Sequence, residues 1–333
     1  MEIVHSPEFI RGLSRLGSQH KGCVATIGSF DGVHVGHRAL LQNIVKLAKE
    51  SSLPSLVIVF EPQPNEYFSR ERVPARLMRL REKVCALFEA GIDRVLCVRF
   101  NESFRSLTAM EFIQRVLVDG IDVKHLIIGD DFRFGCDRTG DFKLLQSCGE
   151  QLGFSVADTH TQTAVGERIS STRIRQLLEV DKLQDAAQLL GRDYSICGRV
   201  VYGKQMGRTL GVPTANIGLG RYRSPVQGVY AVTMEILNSD LSDTGVNKTI
   251  YPAVANVGVK PTVEGGKKPL LEVHAIDVAQ LKLDLYGKFV KVYFKKKIRQ
   301  EKQFSSLAEL QSQILMDIEH AKHYFENHTT KLI

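Results

Sequence analysis

The chain contains no tryptophan and no long uninterrupted apolar segment. Its longest clear apolar run covers residues 56–60, whereas a membrane-spanning helix needs roughly 18 such residues. The first residues show no basic segment followed by an apolar stretch, so no signal peptide is predicted. We therefore expect a cytoplasmic protein without a membrane partner.

Cysteine is scarce, and no two of the six cysteines lie at the close spacing of a metal site. Several of them stand inside apolar runs, where a thiol packs as a small hydrophobic group. The sequence therefore favours core packing over zinc binding or redox chemistry for the whole set: Cys23, Cys85, Cys97, Cys136, Cys148 and Cys197.

A strong charge bias is also missing, since 44 Lys and Arg against 37 Asp and Glu leave a net charge of +7. This modest excess favours anionic ligands but does not by itself indicate nucleic acid. The densest basic run, residues 295–297, follows an alternating segment, and we interpret it as the solvated end of a strand rather than an RNA contact. The hydrophobic and charged fractions, 43% and 24%, exclude disordered, collagen-like and disulfide-scaffold classes.

The length of 333 residues predicts about two domains. In the first half, strand-like runs at residues 24–27, 56–60, 94–98, 125–128 and 154–157 alternate with helical patterns after Gly36 and at 77–90, 108–118 and 142–152. Strands separated by helices of this length cannot pair as hairpins, so we predict an α/β, Rossmann-like domain with a parallel sheet. Ligands of such sheets bind beyond the carboxyl ends of the strands.

The second half has a different rhythm, with alternating runs between Gly and Pro at residues 195–201, 228–237, 251–257, 270–277 and 289–294. This pattern predicts an antiparallel sandwich or small β-barrel. A closing helix follows, with apolar residues at helical spacing after Ser305 or Ser306 as its cap. We place the boundary within residues 184–194 and divide the chain into domains 1–186 and 187–333.

A glycine-rich turn, Gly-Ser-Phe-Asp-Gly-Val-His-Val-Gly-His at residues 28–37, stands between the first strand and a helix. Its glycines allow the backbone to approach an anion, and the helix start supplies free N–H groups. It lacks the lysine of a Walker loop, and the chain lacks the glycine fingerprint of dehydrogenases. His34 and His37 can face the same side and donate to phosphate oxygens, although a structural pair or half a metal site are the alternatives.

A second anion-binding pattern, Arg-Ile-Ser-Ser-Thr-Arg-Ile-Arg at residues 168–175, opens another helix. Helix caps and solvated arginines are the ordinary interpretation of such residues. However, hydroxyls, free backbone N–H groups and three arginines within this short segment make a dense anion site. Two such sites predict a polyphosphate ligand.

Residues 34–37 resemble the His-x-Gly-His signature of the nucleotidyltransferase superfamily, and residues 169–175 resemble its partner motif, Ile-Ser-Ser-Thr-x-Ile-Arg. With Phe-Glu-Pro-Gln-Pro at 60–64 and Gly-Asp-Asp-Phe-Arg-Phe-Gly at 129–135, the chain resembles the prokaryotic bifunctional riboflavin kinase/FMN adenylyltransferase family, the FAD synthetases. This resemblance implies transfer of AMP from ATP onto the phosphate of FMN, which gives FAD and pyrophosphate.

The same resemblance implies that Mg²⁺ shares charge neutralisation with the protein and that His34 and His37 act catalytically on the transferring phosphate. Its implied ATP-binding residues are Gly28, Phe30, Asp31, Gly32, His34, His37, Ser171, Thr172, Arg173 and Arg175. Its implied flavin-binding residues are Pro62, Pro64, Asp131, Phe132 and Phe134. The two phenylalanines either stack on the isoalloxazine ring or serve as core aromatics.

In the second half, Leu-Gly-Val-Pro-Thr-Ala-Asn at residues 210–216 resembles the Pro-Thr-Ala-Asn signature of riboflavin kinases, which make FMN from riboflavin and ATP. The resemblance implies that Thr214 and Asn216 hold Mg²⁺ and nucleotide phosphate, since oxygen donors suit this ion. It adds Gly203 and Gly207 to the ATP site and makes Glu272 the catalytic base for the attacking hydroxyl. His274 lies on the same strand face as Glu272, and we expect it only to pack.

The chain departs from the family pattern at a few positions. Residues 275–283 look about three residues longer than in relatives, Ser29 stands where Asn is frequent, and Gln63 stands where His is frequent. Because Gln cannot titrate near neutrality, we expect no acid-base role at that position. Whether Asp130 or Asp131 faces the site stays open.

Three other functions remain as alternatives: an enzyme with only one of the two activities, a nucleic-acid-binding module that uses the barrel and residues 295–297, and a flavin sensor without catalysis. The missing aromatic-basic RNA signature argues against the second, and two ATP-type sites argue against the third. We therefore expect riboflavin, FMN and ATP as partners, no nucleic acid, and a monomer or weak homo-oligomer.

Overall fold

The computed structural model describes residues 7–16, 20–68, 73–129, 131–158, 163–164, 167–202, 212–237, 249–261, 267–276 and 285–328. The predicted site residues Gly203 and Gly207, as well as Asp130, lie outside these ranges. The chain groups into two compact units, Met1–Val73 with Leu80–Ser170 and Pro74–Arg79 with Ser171–Ile333. The division at residue 186 stays a prediction. Among the described residues, no helix is long and apolar enough to cross a membrane.

The first unit is built on a six-stranded sheet in the order β1-β4-β3-β2-β5-β6, and every neighbouring pair in it is parallel. The predicted parallel sheet is therefore confirmed. Its strands are β1 (Glu8–Arg11), β2 (Cys23–Ile27), β3 (Ser55–Glu61), β4 (Arg94–Arg99), β5 (Val123–Ile128) and β6 (Ser155–Asp158). A separate antiparallel pair consists of β7 (Thr163–Ala164) and β8 (Glu167–Arg168).

Helices connect these strands. They are α1 (Val35–Glu50), α2 (Pro64–Phe68), α3 (Leu80–Glu89), α4 (Glu102–Arg105), α5 (Ala109–Phe112) and α6 (Phe142–Leu152), with a 3-10 turn at Leu13–Arg15 and a π-helical turn at Ile113–Val118. Polar side chains fix where they begin: Thr108 and Glu111 form a capping box on α5, and Asp141 accepts the backbone N–H of Leu144 at 2.9 Å on α6. All five residues of the central strand β2 are buried, as expected when helices cover both faces of a sheet.

The helix predicted over residues 77–90 begins only at Leu80, because the preceding segment packs in the second unit. Leu77 belongs to the core of that unit, and the buried Arg221 donates from its Nη1 to the carbonyl oxygen of Arg76 at 2.8 Å. Tertiary packing and backbone hydrogen bonds to a distant arginine thus decide this boundary, and neither is visible in local periodicity.

The second unit contains a closed, antiparallel six-stranded barrel in the order β10-β13-β12-β11-β14-β9, which confirms the predicted β-barrel. Its strands are β9 (Ser195–Val201), β10 (Ala215–Gly218), β11 (Gly228–Leu237), β12 (Ile250–Pro261), β13 (Lys267–Ala275) and β14 (Phe289–Arg299). Helices α7 (Ser171–Glu179) and α8 (Leu183–Leu190) precede it, and α9 (Leu307–Glu326) closes the unit. Ser306 caps α9 by accepting the N–H of Glu309 at 3.2 Å.

Two apolar clusters stabilise the barrel from opposite sides of the same strands. Along β11, Tyr230 and Val232 join the inner cluster, which also contains residues of α7 and α8. Val229 and Ala231, at the alternate positions, join the outer cluster against α9. This alternation follows from the two-residue period of a strand. Side chains of one parity fill the interior of the barrel, and those of the other parity lie on its outer face, where polar residues can also stand.

The interpretation of residues 295–297 as a solvated strand end is wrong for Lys297. Its ammonium group donates to both carboxylate oxygens of Asp181, at 3.0 and 3.1 Å, and to the Tyr230 hydroxyl at 3.0 Å, and only 16% of its side chain is exposed. The pKa of Tyr230 lies far above its ordinary value. Burial is the largest cause, and the hydrogen bond to Asp181 is the second. Lys297 therefore ties the turn between α7 and α8 to the barrel.

The core interpretation of the cysteines holds for four of them, Cys23, Cys97, Cys148 and Cys197, which are buried, while Cys85 is half-buried. Burial raises the pKa of the Cys23 thiol to about 12, which keeps it protonated. The prediction is wrong for Cys136, which is exposed. Its backbone N–H donates to the carbonyl oxygen of Leu107 at 2.8 Å.

We predict that Asp317→Ala destabilises the second unit by about 3 kcal/mol, because Asp317 is 2% exposed and its carboxylate accepts two Arg299 nitrogens at 2.9 and 2.8 Å. The matched control Glu319→Ala removes an exposed carboxylate from the same helix and should change stability by less than about 0.5 kcal/mol. Chemical denaturation monitored by circular dichroism measures both. Equal effects of the two substitutions would contradict the conclusion that the ion pair of Asp317 with Arg299 holds α9 on the barrel.

Candidate functional site

Three segments with predicted site residues in the first unit follow three adjacent strands of its sheet, β3, β2 and β5. The glycine-rich turn follows β2, Pro62 and Pro64 follow β3, and residues 131–134 follow β5. Phe100 follows β4, between the ends of β1 and β3. Because the carboxyl ends of parallel strands meet at one edge, these segments lie where α/β sheets bind their ligands.

The glycine-rich turn is tight. Phe30, Gly32 and Val33 adopt positive φ angles of 44°, 89° and 37°, and two of these residues carry side chains that disfavour this conformation. At Gly28, an added Cβ would lie 2.9 Å from the Phe30 ring, so the turn requires glycine there. Asp31 is also buried, at 1% exposure. The sequence-predicted turn is thus a preformed loop with its side chains packed inward.

His34 and His37 are held together at the start of α1. The Nδ1 of His34 accepts the backbone N–H of His37 at 3.2 Å, so His34 serves as the cap of the helix. The two imidazole rings stack with centroids 3.6 Å apart and planes 13° apart. An added Cβ at Gly36 would lie 3.3 Å from this Nδ1, which explains the need for a small residue between the histidines. The stacked rings confirm the prediction that both can face the same side, while their donation to phosphate oxygens stays a prediction.

The pKa of His37 lies well below its ordinary range. Burial is the largest cause, followed by His34 and then by the cation of Lys83. His37 is therefore neutral at pH 7, with one ring nitrogen as donor and the other as acceptor. Its Nδ1 is buried and has no hydrogen-bond partner among the described residues. A buried ring nitrogen of this kind is available to a ligand that binds in the turn.

Sequence reasoning missed Lys83, which is 1% exposed on α3 and lies close enough to His37 to act on its pKa. The helix α3 carries Val84, Ala86 and Leu87 on its buried side, and Lys83 shares that burial. A lysine inside the apolar pattern of a helix is the signal that could have identified it, because lysine is almost never fully buried without a partner.

The second anion-binding segment begins α7, in the second unit. Ser171 opens the helix as predicted, Thr172 and Arg173 are exposed, and Ile174 is buried in the core that α7 shares with the barrel. Arg175 donates from its Nε to the carbonyl oxygen of Ala75 at 2.6 Å, so part of its role is structural. A shared ATP site of this segment and the glycine-rich turn stays a prediction.

An extended group of aromatic side chains, here named the aromatic array, occupies the ligand edge of the first unit. Its neighbouring rings lie 5.1 to 6.2 Å apart. It consists of Phe60, Tyr67, Phe68, Phe100, Phe104, Phe112, Phe132 and Phe134. Only its last two members were predicted as site residues. Phe60 opens the motif at residues 60–64 but was given no role, and the remaining members lie in no motif and come together through the order of the strands.

Within this array the two predicted phenylalanines differ. Phe134 is 6% exposed and packs on Phe112, with ring centroids 5.1 Å apart, as a core residue does. Phe132 is half-buried and stacks on Phe134 at 5.5 Å and 22°, while Asp131 is exposed. At the other end, Phe68 is 62% exposed. A flat ligand could therefore reach the array at its half-buried and exposed members.

The loop after β3 contributes further polar groups to this edge. Pro64 begins the short helix α2, and the backbone N–H of Gln63 donates to the Glu66 carboxylate at 3.2 Å. Glu66 is 4% exposed. The side-chain nitrogen of Gln63 is buried without a hydrogen-bond partner among the described residues, so this amide can donate to a ligand.

In the second unit, strand register brings the predicted kinase residues together. Asn216 on β10 lies directly opposite Glu272 on β13, and Thr214 stands just before β10. The adjacent residues Ile217 and Leu271 belong to the inner core, so Asn216 and Glu272 face the outside of the barrel. Asn216 is 7% exposed, whereas Thr214 and Glu272 are half-buried.

His274 does more than pack, contrary to the expectation. Its Nδ1 lies 2.8 Å from the carbonyl oxygen of Pro213, to which it donates, and so it holds the residue that precedes Thr214. The sequence placed His274 on the correct strand face but gave no sign of the loop that reaches it. Of the lengthened segment after it, residues 277–284 lie outside the described residues.

The comparisons with known proteins match both units. A family model described as FAD synthetase matches residues 16–173, and one described as riboflavin kinase matches residues 190–325. Among solved structures, a crystal structure described as a macrolide-efflux protein from Streptococcus pneumoniae has a TM-score of 0.74 and 29% sequence identity, and it covers 96% of this chain and 99% of its own.

Curated relatives match over nearly the whole length. The bifunctional riboflavin kinase/FMN adenylyltransferase of Escherichia coli is 50% identical over 319 residues, which cover 96% of this chain and 98% of that protein. The Pseudomonas fluorescens protein of the same name is 47% identical over 315 residues, with coverages of 95% and 97%. The chain belongs to the bifunctional riboflavin kinase/FMN adenylyltransferase family.

Proposed function

We propose that the chain makes FAD in two steps. The barrel unit converts riboflavin and ATP to FMN, and the unit with the parallel sheet then converts FMN and ATP to FAD and pyrophosphate. The observation that carries the proposal is that each unit holds its own preformed polar site. These sites are the stacked histidines of the glycine-rich turn and the Asn216–Glu272 pair of the barrel.

In the adenylyltransferase reaction, an oxygen of the FMN phosphate attacks the α-phosphorus of ATP, and the bond to pyrophosphate breaks. The protein has to stabilise charge on phosphoryl oxygens rather than form a covalent intermediate. Neutral His37, His34 and the N–H groups of the tight turn supply fixed dipoles and donors for this charge. The exposed part of the aromatic array, together with Pro62 and Pro64, provides flat walls for the isoalloxazine ring.

In the kinase reaction, the terminal hydroxyl of the ribityl chain attacks the γ-phosphorus of ATP, and ADP leaves. Glu272 accepts the proton of this hydroxyl. Thr214 and Asn216 offer hard oxygen donors next to Glu272, a set that fits Mg²⁺, which retains several waters and binds few protein ligands. When bound there, Mg²⁺ neutralises charge on the nucleotide phosphates.

The remaining properties that we propose are a cytoplasmic location, a monomeric or weakly oligomeric state and no nucleic-acid partner. The basic run supports the last of these, because Lys295 binds Asp193 at 2.6 Å and Lys297 binds Asp181. Cations that are engaged in such pairs are poor contacts for a nucleic-acid backbone.

We predict that Glu272→Gln lowers FMN formation from riboflavin by at least about 100-fold. Glutamine has the size of glutamate but cannot accept the proton of the attacking hydroxyl. Chromatographic separation of flavins after incubation with Mg-ATP measures this loss. Adenylylation of supplied FMN, at the other site, should stay at the wild-type rate. The control Glu319→Gln, on an exposed face of α9, should leave both rates unchanged. An active kinase in Glu272→Gln would contradict the assigned base.

We predict the opposite pattern for His37→Asn, which removes a ring from the stacked pair at the glycine-rich turn. FAD formation from FMN should fall by roughly 100-fold, the cost of losing one preorganised donor. FMN formation from riboflavin should continue. Separate rate measurements with riboflavin and with FMN check this pattern, and His320→Asn on α9 is the control. Equal loss of both activities would contradict a local role of His37.

We also predict that His37 stays neutral in the folded protein when the pH falls from 7.5 to 5.5, since burial lowers its pKa. Histidine-labelled protein followed by NMR measures this, with His37→Asn to assign the resonance. The unfolded chain, with an ordinary pKa of about 6.5, binds this proton and the folded chain does not, so His37 destabilises the fold as the pH falls through that window. Titration of His37 near its ordinary pKa would contradict the prediction.

A further inference from the structure

A further polar residue, Asn256, lies beside the Asn216–Glu272 pair of the proposed kinase site, and the sequence analysis gave it no role. Asn256 on β12 lies directly opposite Glu272 on β13, just as Asn216 on β10 does from the other side. Residues directly opposite in an antiparallel sheet have Cβ atoms roughly 5 Å apart and point to the same face. The three side chains therefore form a row on the outside of the barrel, with Glu272 in the middle.

The side-chain oxygen of Asn256 is buried and accepts no hydrogen bond from any described residue. Two described residues beside Asn256 have no side-chain donor. Val229, opposite on β11, is apolar, and Gly258, two residues along the strand, has no side chain. Glu301 reaches Gly258 with a carboxylate, which accepts the side-chain amide of Gln227 at 3.1 Å. A buried acceptor without a partner is unfavourable unless a ligand supplies the donor.

The order of the three side chains indicates which substrate supplies a donor to the Asn256 oxygen. The nucleotide-binding residues lie on the β10 side of Glu272, and Asn256 lies on the β12 side. The oxygens of a triphosphate are acceptors and cannot donate to an amide oxygen. The ribityl chain of riboflavin, in contrast, carries several hydroxyl donors next to the hydroxyl that Glu272 must deprotonate.

We propose that Asn256 accepts a hydrogen bond from a ribityl hydroxyl of riboflavin and so aligns the terminal hydroxyl with Glu272. This inference rests on the proposed kinase function of the barrel. Asn256 thereby selects flavins with a hydroxylated side chain, while the isoalloxazine ring is held elsewhere.

The test compares the full-length chain with Asn256→Ala in FMN formation, with lumiflavin, which has the ring but no ribityl chain, as a competitive inhibitor. We expect the KM for riboflavin to rise about tenfold, as for the loss of one hydrogen bond to a buried acceptor, with the inhibition constant of lumiflavin and the KM for ATP unchanged. Asn256→Ser keeps a hydroxyl oxygen as acceptor without adding a charge opposite Glu272 and should raise the KM less than Asn256→Ala does. Ile250→Ala, an exposed residue on the same strand and face, is the matched control.

Three results would overturn the inference: an unchanged KM for riboflavin, an equal weakening of lumiflavin, or a changed Mg²⁺ requirement with riboflavin unaffected. If Asn256→Ala does not fold, Asn256→Leu, of similar volume, replaces it in the same comparison. Absence of FMN formation by the wild-type chain would instead contradict the proposed kinase function, which distinguishes the two failures.

Discussion

Strand register in the barrel is the constraint on which the kinase site depends. Asn216 and Glu272 meet because β10 and β13 pair antiparallel with these residues opposite, and the alternate residues Ile217 and Leu271 fill the interior. A slip of either strand by one residue would turn its polar side chain into the core and its apolar neighbour into solvent. The cost of burying a carboxylate and an amide therefore protects the register, and the packing of the core fixes the geometry of the site.

Much of this arrangement is predictable from sequence because its causes are local. The period of two in residues 228–237 and the helical spacing in α6 predicted both elements with the bounds that the structure has. The short strand β10 was missed because its four residues, of which only Ala215 and Asn216 belong to the Pro-Thr-Ala-Asn motif, carry little periodicity. Pairing with β13 and β9 makes them a strand. The edge strand β1 was missed for the same reason, since its pairing with β4 decides it.

The site divides in the same way. His34 and His37 could be proposed from their spacing next to the glycines, whereas Glu272 was assigned only through the family resemblance, and the roles of all three stay predictions. Lys83 and Asn256 were not identified from sequence, because the contacts that single them out are with residues distant in the chain. Lys83 lies close to His37 on another helix, and Asn256 lies opposite Glu272 through strand pairing. Lys297 shows the converse, since a basic run that looks solvated contains a cation bound to Asp181.

The two reactions place different demands on the protein, and the two sites differ accordingly. A ribityl hydroxyl is a poor nucleophile near neutrality, so the kinase site needs a group that accepts its proton, the role that we propose for Glu272. The phosphate of FMN already carries negative charge at pH 7, since its second pKa lies near 6. Its attack needs no base, only donors and dipoles that tolerate the charge. In the site that we propose, a buried, neutral His37 and an untitratable Gln63 satisfy that demand without a titrating group.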